Sequence, residues 1–135
     1  MCIRDSLKEY PKGVKIVFKQ LPLDFHKNAH LAAQATLAAH EQGKFWEMHD
    51  KLFENQRALT RPDLDKYAQE LQLDMTKFKA ALDSGKFKKK VDADMAQARG
   101  AGLTGTPSFL INGQKFVGAQ PFESFKTQID AALKK

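Results

Sequence analysis

Apolar residues recur along this chain with two different periods. Between about residues 28 and 101 they return every third or fourth position, which lines them up on one face of a helix. On either side of that block they come as short consecutive runs bounded by glycine or proline, the habit of buried strands. The central pattern breaks into five predicted helices. The first, residues 28–42, is alanine-rich and stops at Gly43, which suits the left-handed position that ends helices. The second covers residues 44–55 with Phe45, His49, Leu52 and Phe53 on one face. Thr60 as a cap and Pro62 in the first turn announce the third, where Leu64, Tyr67, Ala68 and Leu71 keep helical spacing. Asp74 caps the fourth, with Met75, Phe78 and Leu82 inward and Gly85 as its stop; the fifth carries Phe87, Val91, Met95 and Ala98 and stops at Gly100–Gly102. The core expected of this block is Phe45, Trp46, Leu52, Phe53, Leu64, Tyr67, Phe78, Leu82, Phe87 and Met95.

The flanks read differently. Leu7–Tyr10 looks like the last helical turn before Pro11 and Gly13, and Val14–Phe18 is a β-branched and aromatic run that predicts a strand. Residues 1–6, "MCIRDS", share no pattern with the rest of the chain and are set aside as a non-native start. After the helical block come Phe109–Ile111, the pair Asn112–Gly113, and Gln114–Val117. Two strand-like runs separated by Asn-Gly are a strong hairpin signal, because both central residues of the matching turn need positive φ. Pro121 then opens a last helix with Phe122, Phe125, Ile129 and Leu133 on its inner side. The order strand, helices, strand, turn, strand, helix predicts an α/β fold. Pro107 stands just before the Phe109 run, where a residue without an N–H is tolerated at a strand start.

Composition narrows the chemistry. With 135 residues the chain fits one domain, and 42% hydrophobic with 28% charged residues is ordinary for a globular protein. No apolar run approaches the ~20 residues needed to span a bilayer. The net charge is +6, but the densest basic run, residues 86–90, carries one aromatic, whereas nucleic-acid grooves interleave several; no nucleic-acid partner is expected. The one cysteine, Cys2, excludes an internal disulfide and a multi-cysteine metal site, and it reads as an incidental terminal thiol. His26 and His30 are four apart but no third ligand occurs at a familiar spacing, and His40 and His49 fall in separate helices, so no metal is expected.

Four segments together, "VFKQLPLDFH" at 17–26, "EQGKFWEMHDKLF" at 41–53, "GTPSFLING" at 105–113 and "VGAQPFESF" at 117–125, resemble the DsbA-like thiol:disulfide oxidoreductases of the thioredoxin superfamily. The resemblance covers residues 7–135. It implies a single thioredoxin-like domain with a helical insertion at 27–102, lacking the N-terminal catalytic strand and most of the first helix. It further implies a cis bond before Pro107 and a loop, Gly105, Thr106 and Pro107, that offers backbone to an extended peptide substrate. The family's chemistry needs Cys-x-x-Cys at a helix N-terminus, where the dipole lowers the first thiol's pKa and the second thiol resolves the mixed disulfide. That motif is absent from this chain, so no catalytic residue is assigned and the chain alone is expected to be inactive.

The expected activity of the family is dithiol exchange on exported proteins in the periplasm or another extracytoplasmic space, with a redox partner protein and no cofactor. Two other readings fit the same scaffold. One is a glutathione-dependent transferase or isomerase, which needs no cysteine pair; the other is a non-catalytic peptide-binding module.

Overall fold

The computed structural model describes residues 2–134, and the side chain of Cys2 lies outside what it describes. Among these residues the elements run α1 (Cys2–Glu9), α2 (Ala29–Glu41), α3 (Phe45–Glu54), α4 (Arg61–Glu70), α5 (Met75–Asp83), α6 (Lys88–Gly100), β1 (Ser108–Ile111), β2 (Gln114–Val117) and α7 (Phe122–Leu133). The chain divides into two compact units, Gln20–Ala101 and Met1–Lys19 with Gly102–Lys135.

The first unit is helical and is organised around α2. Ala32, Ala33, Ala35, Ala38 and Ala39 are all buried there, and such small side chains let neighbouring helices approach closely. Phe78, Met48, Leu64 and Val91 are the largest side chains sealed from solvent. Local chemistry sets the helix ends. Thr60 and Asp63 form a capping box at the start of α4, the Asp63 carboxylate accepting from the Thr60 hydroxyl at 2.6 Å and from its N–H at 2.9 Å. These bonds, the hydroxyl first, hold the Asp63 carboxyl below its ordinary pKa. The Asp74 carboxylate accepts from the Lys77 N–H at 3.1 Å and caps α5.

A buried polar network pins the entry of the unit to α2 and α6. The Gln20 N–H donates to Asp94 Oδ2 at 3.0 Å and its side-chain amide to the Thr36 hydroxyl at 2.8 Å, while Lys90 donates to the other Asp94 oxygen at 2.5 Å. Gln20, Thr36 and Asp94 are all buried. Each polar group taken from water here has a partner, which avoids the cost of burying it unpaired.

Two of the ten expected core residues prove exposed: Trp46 at 40% and Phe53 at 48%. Phe45 and Phe87 are half-buried, and the remaining six are buried. The reason is that α3 carries two adjacent stripes. Met48, His49 and Leu52 are the buried residues of α3, whereas Trp46 and Phe53 lie on its exposed side with their rings against the His49 imidazole. Ring centroids are 5.2 Å apart for Trp46 and His49 and 4.6 Å for His49 and Phe53.

In the second unit β1 and β2 form an antiparallel hairpin with Ser108 opposite Val117, Phe109 opposite Phe116, Leu110 opposite Lys115 and Ile111 opposite Gln114. Asn112 and Gly113 turn it with φ of 48° and 85°, as the Asn-Gly pair predicts. Phe125 of α7 packs edge-on against both strands, its ring 4.7 Å from Phe109 and 4.6 Å from Phe116. Leu133, expected on the inner side of α7, is instead exposed at 49%.

Helix α1 is tied to α7 by polar contacts. The Tyr10 hydroxyl donates to Asp130, and Lys126 bridges Glu9 at 3.2 Å and Asp130 at 3.4 Å. The bond from Tyr10, chiefly, holds the Asp130 carboxyl below its ordinary pKa; Glu9 first and then Tyr10 raise that of Lys126. Residues 2–6, which the sequence set apart by pattern, lie within helix α1, and Ser6 is buried.

The expected strand at residues 14–18 does not form. The described residues contain one sheet, β1 with β2, and residues 14–20 join no ladder. Their burial still alternates, Val14, Ile16 and Phe18 half-buried between exposed Lys15, Val17 and Lys19. The side chains have the pattern of a strand, but the backbone of this run joins no ladder with β1 or β2.

Phe78→Ala should cost about 3–5 kcal/mol in urea unfolding, the usual range for emptying a sealed phenylalanine site. Leu133→Ala, at an exposed position, should stay within about 0.5 kcal/mol.

Candidate peptide-facing loop

Gly102, with φ of 72°, turns the chain away from the end of α6. Leu103 is buried and anchors the loop, Gly105 is half-buried, and Thr104, Thr106 and Pro107 are exposed. The three residues singled out from the sequence thus share one loop at the open start of β1. The Thr106–Pro107 peptide bond is cis.

Two hydrogen bonds fix the loop to the hairpin. The Ser108 hydroxyl donates back to the Gly105 carbonyl at 2.6 Å, and the Gly118 N–H donates to the Pro107 carbonyl at 2.8 Å. The second bond continues the ladder past Ser108 and Val117 and places Pro107 at a position whose backbone faces β2. The missing N–H of the proline therefore costs a bond on the β2 side, and the outer edge of β1 loses nothing.

Lys115 reaches from β2 across to Gly102, so that a Cβ built at residue 102 would lie 2.5 Å from its ammonium nitrogen. Neither Lys115 nor Ser108 was singled out by sequence reasoning. For Ser108 a signal existed, since a serine three residues after a glycine at a loop end often bonds back to the chain. For Lys115 none did, because its contact depends on hairpin register.

The histidines do not converge. His30 Nε2 lies 2.9 Å from Asp92 and its Nδ1 2.9 Å from the Gln34 amide; His26 is exposed beside Phe25; His40 meets the edge of Phe45; His49 is buried beside Trp46 and Phe53. Among the described residues no three histidine, cysteine or acidic side chains gather as a metal site. Nor is any helix among them long and apolar enough to cross a membrane.

A fold of this order, with a proline loop opening a hairpin that packs on a C-terminal helix, defines a thioredoxin-like protein. Residues 3–130 match the DSBA-like thioredoxin domain, and the chain belongs to that family, which is of thiol–disulfide oxidoreductase type. Relatives include proteins described as the Na(+)/H(+) antiporter NhaA 3 of Salinispora tropica, 37% identical over 97% of this chain, and NhaA 1 of Salinispora arenicola, 34% identical over 97%. The Na(+)/H(+) antiporter NhaA of Herminiimonas arsenicoxydans is 35% identical over 95%. The chain spans only 20% of the length of each of these relatives.

Gly102→Ala meets two obstacles, the left-handed backbone and the Lys115 ammonium. The ammonium is the end of a flexible side chain and can swing away, so the backbone term of about 1–2 kcal/mol should dominate. In chemical unfolding, the cost of Gly102→Ala should be nearly the same in a Lys115→Ala background; a cost that vanishes there would show that the side-chain clash decides.

Proposed function

We propose that this chain takes part in DsbA-like thiol–disulfide exchange on exported proteins in an extracytoplasmic space, with Gly105, Thr106 and Pro107 contacting an extended substrate segment. The observation that carries this reading is the exposed loop fixed at the open start of β1, in a chain of this family. An extended peptide laid beside such a loop could take backbone hydrogen bonds from Thr106, as in strand addition.

The redox step needs more than this chain's single thiol. A thiolate attacks one sulfur of a substrate disulfide, joins it as a mixed disulfide and expels the other sulfur as a thiolate. Release then requires a second thiol to attack the enzyme-side sulfur. With one cysteine in 135 residues, read as incidental, this chain supplies no such pair of thiols. We read the stretch shared with the antiporter relatives as a thioredoxin-like portion of those proteins, and ion transport is not assigned to this chain.

The test is amide chemical-shift mapping with an extended cysteine-containing peptide. Perturbations should cluster at Gly105, Thr106 and Ser108. Insulin reduction by the chain alone should not exceed that of an equal concentration of a simple monothiol. Shifts clustered away from the loop, or multiple turnovers from the chain alone, would contradict the proposal.

A further inference from the structure

Successive residues of a strand point to opposite sides, so the register of the hairpin sorts its side chains onto two faces. Phe109 and Phe116 face α7, where both rings meet Phe125. Ser108, Leu110, Lys115 and Val117 therefore share the other face. The first half of the loop is touched at both ends from that face. The Ser108 hydroxyl donates to the Gly105 carbonyl, and Lys115 extends its ammonium to Gly102, 2.5 Å from where a Cβ at that residue would stand.

Lys115 is exposed, and it is the only charged residue between Gly102 and Phe122. The rest of its unit has the same sign. Met1–Lys19 with Gly102–Lys135 contains nine Lys and Arg against four Asp and Glu, so it carries +5 of the chain's net +6. Two of those four acids, Glu9 and Asp130, are already bridged by Lys126. A segment lying along the loop thus meets one formal charge of the loop and hairpin, and that charge is positive. Physiological salt screens exposed charges beyond about 8 Å, so the nearest one dominates what such a segment feels.

We infer that Lys115 is a specificity-determining residue, favouring extended substrate segments that carry an Asp or Glu near the cysteine. The inference rests on the reading of Gly105, Thr106 and Pro107 as contacts for such a segment. Strand addition to the Thr106 backbone supplies affinity without reading sequence, and selectivity then falls to groups that meet the segment's side chains. A lysine suits that role here, because its flexible four-carbon stem lets the ammonium leave Gly102 and follow a carboxylate. An exposed ion pair of this kind is worth about two- to fivefold in affinity.

Fluorescence polarisation with labelled extended peptides tests this. The peptides share one sequence, with serine in place of cysteine so that Cys2 captures none of them, and differ at a single position that is Asp, Asn or Lys, scanned through two residues on either side of that serine. At one or more positions the Asp peptide should bind the native chain about two- to fivefold tighter than the Asn peptide and the Lys peptide more weakly, the differences shrinking as salt is raised. Lys115→Gln should equalise the three peptides and Lys115→Glu should invert their order, with unchanged Ser108 and Gly118 amide shifts confirming that the hairpin is intact in both variants. Equal binding of Asp and Asn peptides at every position, with shift perturbations still centred on Thr106, would overturn the inference and leave the loop reading standing. An Asp preference that survives in Lys115→Gln would also overturn it. No perturbation of the loop by any peptide would overturn the loop reading and this inference with it.

Discussion

A two-stranded hairpin is marginal on its own in water, because its few ladder bonds do not offset the entropy of ordering both strands. β1 and β2 are such a hairpin, four residues each. What holds it is one face of α7, where the Phe125 ring meets Phe109 on one strand and Phe116 on the other. Aromatic pairs in this edge-on arrangement add about 0.5–1.5 kcal/mol each beyond the area they bury. The loop depends on that contact at one remove. Its carbonyls at Gly105 and Pro107 are tied to Ser108 and Gly118, residues that have a fixed place only while the hairpin does.

The helical unit rests on a different kind of constraint. Its core is built on alanines of α2, so little side-chain volume comes from the central helix and the larger groups, Phe78, Met48 and Leu64, come from the helices around it. Such an arrangement leaves few options for where those helices sit. The Gln20, Thr36 and Asp94 network adds a directional element, since a buried carboxylate must keep its donors. Burial and polar satisfaction therefore act together at the entry of this unit, whereas the second unit relies on one aromatic cluster and an exposed set of ion pairs between α1 and α7.

Helices and the hairpin were legible in the sequence because their signals are local. Thr60, Asp74, Gly43 and Asn112–Gly113 each specify a backbone conformation within a few residues, and each is found where it points. The same is true of the four segments that carry the family resemblance. Non-local facts were not legible. Val14–Phe18 has the composition of a strand, yet strand formation depends on a neighbour that no local pattern reveals. Trp46 and Phe53 have the composition of core, yet which of two adjacent stripes on α3 turns inward is decided by the helices it meets. Lys115 over Gly102 is a matter of register. Of the candidate site, the loop residues themselves were read from resemblance, and the bonds that hold them came only from the structure.

The central claim is that Phe125 positions the loop through the hairpin, independently of the helical unit. Native-state hydrogen exchange of Phe125→Ala measures it directly. The account predicts that the Gly118 amide, bonded to the Pro107 carbonyl, loses most of its protection, while amides in the helical unit such as Phe78, bonded to the Asp74 carbonyl at 2.9 Å, keep theirs. Unchanged protection at Gly118, or an equal loss at Phe78, would contradict it.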